Sequence, residues 1–135
     1  MYYCNDNNMS GFYSNIEKQT LKNSYFRKVL FTGIHSQLVV MNIKPGEEIG
    51  EEVHSDVDQF FRIERGLGKI IVEDTSYIVK DGDAVIVPSG SRHNVINTSD
   101  KQELKLYTIY SPPNHPDKTV HKTKDEADET ERKHH

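Results

Sequence analysis

Four polar side chains in the middle of the sequence have the types and spacing of a metal site: Glu52, His54, Gln59 and His93. Residues two apart in a strand point to the same face, so Glu52 and His54 project together. Gln59 shares its predicted face with the apolar Phe61 and therefore also points inward. Two imidazoles and one carboxylate can hold a divalent ion and leave other coordination positions open.

Short segments rich in β-branched and aromatic residues carry these side chains, and turn residues separate the segments. Because almost no amphipathic helix lies between them, the pattern predicts an all-β sandwich or barrel. The predicted strands are Tyr25–Thr32, Gln37–Ile43, Glu52–His54, Gln59–Glu64, Leu67–Glu73, Tyr77–Val79, Ala84–Val87, His93–Ile96 and Glu103–Tyr110.

The two ends of the chain differ from the middle in composition. We expect an N-terminal arm over residues 1–23, one barrel over residues 24–113 and a charged, mostly disordered tail over residues 114–135. In the tail, Thr119–Lys122 is expected to lie against the barrel, and residues past Lys124 are expected to be solvated. The terminal His134-His135 pair is either native or the remnant of a purification tag.

The arm has a weak helical pattern near Ile16–Leu21 and is rich in aromatic residues. Two alternatives remain open: the arm is partly disordered, or its aromatic side chains dock on the barrel or on a partner subunit. The aromatic residues are Tyr2, Tyr3, Phe12 and Tyr13.

Composition excludes several classes of protein. The chain has 135 residues, of which 34% are hydrophobic, and this favours a single domain. The net charge of −4 is spread over interleaved charges without a basic stripe, which argues against a nucleic-acid partner. No apolar run is long enough to span a membrane, and the polar N-terminus is unlike a signal peptide. The single Cys4 is typical of a reducing compartment, so we expect a cytoplasmic protein.

Glycines around the polar residues complete a spaced pattern that resembles the two-part motif of the cupin superfamily. The resemblance covers Tyr25 to Tyr110, and two motifs in the right order make chance agreement improbable. The first part is Gly46, five residues, Glu52-Val53-His54, four residues, Gln59, six residues and Gly66. The second part is Gly82, five residues, Pro88-Ser89-Gly90, two residues, His93, three residues and Asn97.

The resemblance implies a small single-domain cupin with a double-stranded β-helix, or jelly-roll, barrel similar to mannose-6-phosphate isomerase-like cupins. It also implies a divalent metal ion (Fe, Mn, Zn or Ni) bound by Glu52, His54, Gln59 and His93, and a homodimer that covers open strand edges. The chain departs from the motif twice, because Glu52 stands where the family has its first histidine and Gln59 where it has its glutamate. These changes move the carboxylate within the site and make Gln59 a weak neutral ligand or a hydrogen-bonding neighbour.

A second register uses the same histidines. His54-Ser55-Asp56 followed by His93 resembles the metal triad of iron and 2-oxoglutarate oxygenases. This alternative ignores both glycine spacings, and no arginine follows His93 at a distance suited to the co-substrate carboxylate. The expected carboxylate ligand is therefore Glu52 rather than Asp56.

The reaction type stays open at this point. A bound divalent ion can act as a Lewis acid, as in isomerases and lyases, or can hold oxygen, as in dioxygenases. The alternative is a non-catalytic ligand-binding or structural barrel. If the protein is an enzyme, the candidate catalytic residues are Glu52 and a tyrosine, Tyr107 or Tyr110.

The predicted substrate is a small polar molecule, carbohydrate-like or with a carbonyl group. Strand alternation turns the side chains of Arg62, Lys69 and Arg92 away from the barrel interior. The interior is therefore predicted to lack a fixed cation for a phosphate group. A neutral or weakly acidic, oxygen-rich ligand fits such a lining better than a sugar phosphate.

Overall fold

The computed structural model describes residues 11–133, so Tyr2, Tyr3, Cys4 and the terminal His134-His135 lie outside the described range. Within this range the chain forms nine strands and two helices. In chain order these are α1 (Ile16–Lys22), β1 (Arg27–Thr32), β2 (Gln37–Ile43), β3 (Asp58–Arg65), β4 (Leu67–Val72), β5 (Thr75–Lys80), β6 (Ala84–Val87), β7 (His93–Asn97), β8 (Leu104–Ser111), β9 (Val120–His121) and α2 (Lys124–Lys133).

The strands form two antiparallel sheets, and this confirms the predicted all-β jelly roll. The larger sheet has the order β6-β3-β8-β2-β1-β9, and the smaller has the order β5-β4-β7. In the larger sheet, strands that follow one another in the sequence are often not adjacent. For example, β8 lies between β2 and β3 and pairs with both. The apolar faces of the two sheets enclose one core.

Strand alternation places the core and the site on the same inner face. Along β3, Gln59, Phe61 and Ile63 are buried, whereas the residues between them are partly exposed. Along β7, His93 and Val95 are buried in the same alternating way. The predicted inward direction of Gln59 is therefore confirmed, because it shares the face of two core residues.

The prediction of a strand over Glu52–His54 is wrong, because the structure has only a single bridge residue there. Only Glu52 pairs, in an isolated antiparallel bridge with His93, and Ser55-Asp56 turns the chain immediately afterwards. The extended local conformation still alternates, since Val53 is 53% exposed while Glu52 and His54 turn toward the barrel. A short extended segment therefore places both side chains without needing a strand.

The described part of the N-terminal arm lies on the barrel. Asn15 caps α1 by accepting a hydrogen bond from the Lys18 N–H at 2.9 Å. At the helix end, Lys105 Nζ of β8 donates to the Asn23 carbonyl at 2.7 Å. Phe12 stacks on Phe31 of β1 with ring centroids 5.7 Å apart. These contacts favour the docked alternative for this part of the arm.

The C-terminal segment is more ordered than its composition predicts. β9 pairs with β1, and α2 occupies Lys124–Lys133, where we expected a solvated chain. The Thr123 hydroxyl caps α2 by accepting from the Glu126 N–H at 3.1 Å. The side chain of Ala127 packs against the core and is only 7% exposed. Because the residues around it are mostly charged, the sequence pattern does not indicate this contact. No helix within residues 11–133 is both long and apolar enough to cross a membrane.

Gly66 separates β3 from β4 in a conformation that only glycine adopts easily. Its φ is +117°, and an added Cβ would lie 2.8 Å from the Glu103 carbonyl oxygen. We expect Gly66→Ala to lower the free energy of unfolding by about 3–5 kcal/mol, from backbone strain and overpacking together. Urea denaturation measures the change.

Gly82→Ala is the matched control, because Gly82 has a φ of +89° but a Cβ added there would meet no atom within 4 Å. Only backbone strain applies there, so a loss of about 1–2 kcal/mol is expected. Equal losses in the two variants would contradict close packing around Gly66.

Candidate metal centre

A pair of backbone hydrogen bonds brings the two halves of the site together. The Glu52 N–H donates to the His93 carbonyl at 2.8 Å, and the His93 N–H donates to the Glu52 carbonyl at 2.9 Å. The Gly90 N–H also donates to the His54 carbonyl at 2.8 Å. The loop that carries Glu52 and His54 is therefore fixed against the start of β7.

Glu52, His54 and His93 form a candidate metal-binding triad. Glu52 Oε1 lies 3.5 Å from His54 Nε2, and the two imidazole centroids are 5.3 Å apart. One ligand atom from each of the three residues lies within 4.8 Å of the others. Bonds of about 2.1 Å to one ion require these atoms to move closer together, since two such ligands are at most about 4.2 Å apart.

Hydrogen bonding in the site leaves ligand atoms available. His93 Nδ1 is 3.0 Å from the Ser91 carbonyl, which can only accept, so Nδ1 carries the proton and Nε2 keeps its lone pair. Among the described residues, no hydrogen-bond partner reaches the buried Nε2 atoms of His54 and His93. Buried polar atoms are rarely left unpaired, so these atoms fit a divalent ion.

Gln59 lies at the same inner face with one of its two polar atoms satisfied. Its Nε2 donates to Thr108 Oγ1 of β8 at 3.0 Å. Its Oε1 is buried and, within the described residues, has no hydrogen-bond partner. A neutral carbonyl oxygen is a weak ligand for a divalent ion, so Gln59 remains a candidate fourth ligand.

The carboxyl group of Glu52 is ionised in this environment. Burial raises its pKa, but the His54 imidazole, whose Nε2 is 3.5 Å from Glu52 Oε1, outweighs that effect together with Arg27 and His93. The net pKa lies below the ordinary value. Glu52 thus supplies the negative charge that a divalent cation requires.

Neither Tyr107, a predicted catalytic residue, nor Asp56, the carboxylate of the disfavoured second register, reaches the triad. Tyr107 points to the opposite face of β8 from Thr108, and its ring lies 6.1 Å from that of Phe60 on the outer side. Asp56 is exposed in the turn after His54 and lies outside the cluster of ligand atoms. The structure therefore contradicts the placement of Tyr107 in the site and does not support the alternative triad with Asp56.

Tyr110 takes the place beside the site that Tyr107 does not reach. Its ring contacts the His54 ring edge-on at 6.0 Å, and its hydroxyl lies 3.2 Å from His115 Nε2. Burial raises the pKa of Tyr110 to about 12, so the phenol stays protonated. The residue provides a neutral, buried hydroxyl next to a candidate ligand.

A cavity of about 580 Å³ opens beside the triad and is closed on one side by α2. Gln37 fixes one wall: its Oε1 accepts from the Asn114 and His115 N–H groups at 3.1 and 3.0 Å. The lining residues are Arg27, Glu51, Glu52, Val53, His54, Asn114, His115, Pro116, Thr119, His121, Ala127, Thr130 and Glu131.

Arg27 corrects the prediction that the interior lacks a fixed cation. Its side chain lines the cavity and is 6% exposed overall. The sequence contained a signal, because Arg27 shares the inward face of β1 with Val29, whereas Lys28 between them is exposed. The prediction rests on Arg62, Lys69 and Arg92, which all follow β1 in the sequence. Gln37 was missed as well, since nothing in its local pattern marks it as a wall residue.

Comparison with known proteins agrees with this geometry. The cupin domain family matches residues 39–110. The protein L612 of Acanthamoeba polyphaga mimivirus is 45% identical over 105 residues, which cover 76% of this chain and 66% of L612. YrkC of Bacillus subtilis (strain 168) is 47% identical over 122 residues, which cover 86% of this chain and 65% of YrkC.

A solved structure supports the fold over nearly the whole chain. The crystal structure of BH2720 from Bacillus halodurans has a TM-score of 0.87 and 42% identity, covering 92% of this chain and 98% of that one. This chain spans just under two thirds of the length of the two curated relatives. The names of these three proteins state no activity, so the reaction type can be inferred only from the site.

His115 makes the stability of the protein sensitive to acid. Burial, reinforced by the positive charge of Arg27 and by the neighbouring imidazoles of His121 and His54, lowers its pKa from the ordinary 6.5 to about 2. Below pH 6.5 the unfolded chain therefore takes up a proton at His115 and the folded chain does not. Through this residue, the free energy of unfolding decreases by up to about 1.4 kcal/mol for each unit by which the pH falls.

We expect His115→Gln to flatten the pH dependence of unfolding by that amount between about pH 6 and pH 5. Denaturant unfolding at several pH values measures the slope. His35→Gln, at an exposed position after β1, is the control and should keep the wild-type slope. An unchanged slope in His115→Gln would show that His115 accepts a proton in the folded state.

Proposed function

The chain belongs to the cupin domain family, and on this premise we propose that it is a divalent-metal-dependent enzyme acting on a small, oxygen-rich molecule. The observation that carries the proposal is the set of three buried atoms without hydrogen-bond partners among the described residues: His54 Nε2, His93 Nε2 and Gln59 Oε1. With the Glu52 carboxylate they present a mixed nitrogen and oxygen ligand set beside a cavity of about 580 Å³.

Each residue has a distinct part in this proposal. His54 and His93 supply neutral nitrogen ligands, Glu52 supplies an anionic oxygen, and Gln59 supplies a weak oxygen ligand or orients its neighbours. When bound, a divalent ion supplies a Lewis acid that polarises a substrate oxygen. The Ser91 carbonyl holds the proton on His93 Nδ1 and so maintains the ligating tautomer.

Among reaction types we favour isomerase- or lyase-type chemistry over dioxygenase chemistry. Tyr110 supplies a neutral hydroxyl that keeps its proton beside the His54 ring and lies 3.2 Å from His115 Nε2. It does not line the cavity, so we assign to it the positioning of these two imidazoles rather than contact with the substrate. Oxygen uptake that depends on the metal and on a carboxylate or carbohydrate substrate would favour a dioxygenase instead.

We further propose a cytoplasmic homodimer that binds neither nucleic acid nor membranes. The single Cys4 and the interleaved charges support the location and the absence of these partners. Ile78 and Ile86 support the dimer, since they are 70% and 66% exposed on β5 and β6, which are edge strands of the two sheets. Light scattering that gives a monomer would overturn the dimer.

Metal content tests the proposed function directly. The experiment uses the full chain with His134 and His135 changed to alanine, so that these terminal histidines cannot bind metal. The tail is not truncated, because removal of the residues after Lys124 would remove α2 from the cavity wall. After reloading with Mn²⁺, Fe²⁺ or Zn²⁺ and desalting, plasma mass spectrometry should find about one ion per chain. Glu52→Ala and His93→Ala should each reduce this to below about a tenth, because each removes a ligand.

Glu51→Ala is the matched control, since Glu51 adjoins Glu52 but its side chain is 69% exposed and lies 3.5 Å from Arg92. It should retain the full metal content. Gln59→Ala should weaken the affinity by about tenfold, which is the effect expected of a weak ligand or supporting residue. Metal that survives in both Glu52→Ala and His93→Ala, or that never binds the parent protein, would overturn the proposed function.

A further inference from the structure

Arg27 is a buried cation whose hydrogen-bonding capacity is only partly used. It is 6% exposed, and its Nη1 lies 3.2 Å from His121 Nδ1 on the paired strand β9. Its guanidinium carbon lies 5.2 Å from the ring centroid of Phe26. Among the described residues, its buried Nε has no hydrogen-bond partner.

The described carboxylates do not neutralise this cation by direct contact. Within residues 11–133, no ion pair joins Arg27 to a carboxylate, although Glu52 is close enough for its pKa to be lowered by the charge of Arg27. A buried, unpaired charge costs several kcal/mol, and structures rarely retain one without a compensating partner. Because Arg27 lines the cavity, the partner that fits is a bound anion.

The surroundings of Arg27 suit such an anion. Burial lowers the pKa of His121, with a further contribution from Arg27 that outweighs the opposing effect of Glu126. The pKa of His115 is also lowered, so both imidazoles favour the neutral form near Arg27. Asn114, Thr119 and Thr130 line the same cavity and can offer uncharged hydrogen bonds.

We propose that Arg27 binds the carboxylate of a small organic acid in this cavity, so that another oxygen of the same molecule faces Glu52 and His54. The second half of this statement rests on the proposed function, because it assumes that the metal ligands act on the far end of the substrate. The guanidinium presents paired N–H groups that match the two oxygens of a carboxylate.

The cavity favours a carboxylate over a phosphate ester. Of the described residues in its lining, Arg27 is the only lysine or arginine, whereas Glu51, Glu52 and Glu131 are acidic. One fixed cation balances one negative charge, and the acidic residues oppose a second. A phosphate group near neutral pH carries more than one negative charge and is therefore disfavoured.

Isothermal titration calorimetry of the full chain tests this inference with three hydroxy acids of increasing length: glycolate, 3-hydroxypropionate and 4-hydroxybutyrate. Each acid is paired with its neutral amide, and inorganic phosphate is a separate probe. Titrations are made on chelator-treated and on Mn²⁺-loaded protein, and metal content is measured on the same samples. We expect at least one acid to bind at least about tenfold more tightly than its amide and than phosphate.

Arg27→Met removes the charge and keeps much of the side-chain volume. It should weaken binding of that acid by about 10–100-fold while leaving metal content and the circular dichroism spectrum unchanged. Arg27→Lys keeps the charge without the planar fork and should weaken binding by about 3–10-fold, so it tests the inference even if the methionine variant does not fold. Lys28→Met, on the exposed face of the same strand, is the matched control and should bind as the parent does.

Three results would overturn the inference while leaving the metal result intact. These are equal binding of acid and amide, parent-like binding by both Arg27 variants, and tighter binding of phosphate than of every acid. Conversely, Arg27-dependent binding of an acid by protein that never takes up metal would support the anion site and refute the proposed metal function.

Discussion

Two backbone hydrogen bonds between Glu52 and His93 are the constraint on which the candidate site depends. They tie a loop with no strand of its own to the first residue of β7, whose register is set by pairing with β4. Because side chains alternate along β7, a slip of one residue would turn His93 out of the barrel and break the triad. The candidate metal ligands thus meet through main-chain pairing rather than through contacts between their side chains.

Much of the fold was predictable because period-two alternation determines both the strands and the face of each residue. The same rule gave the inward direction of Gln59 and the common direction of Glu52 and His54, whereas His93 was assigned to the site from the spacing of the two-part motif. Tyr107 and Tyr110 were alternative candidates for a catalytic tyrosine, but Tyr107 stands an odd number of residues from the inward-facing Tyr110 and therefore faces outward. Alternation along β8 is visible in the sequence, and it is enough to exclude Tyr107 from the barrel interior.

The parts that could not be predicted depend on long-range contacts. Helix α2 is charged along most of its length, and its order comes from the Thr123 cap and one buried alanine, Ala127. Alternation along β1 indicates that Arg27 faces inward, but its place in a cavity wall depends on the distant segments β9 and α2. A short, polar C-terminal segment therefore adds one wall to the charged cavity beside the triad.

Charge links the two ends of the cavity. Glu52 is held ionised by the histidines and Arg27, whereas His115 is kept neutral by burial and by the same arginine. In our proposals the anionic oxygen meets a cation and the guanidinium meets an anion, and several polar atoms around them are buried without hydrogen-bond partners among the described residues. Sites that trade stability in this way are typical of binding and catalysis.

The most direct test of the metal centre is a crystal structure of the Mn²⁺- or Zn²⁺-loaded protein with diffraction data on both sides of the absorption edge of the metal. The account predicts one anomalous peak at about 2.0–2.2 Å from His54 Nε2, His93 Nε2 and a Glu52 carboxylate oxygen. A fully loaded crystal whose anomalous peak lies elsewhere, with Glu52 and His54 making no contact to it, would contradict the account.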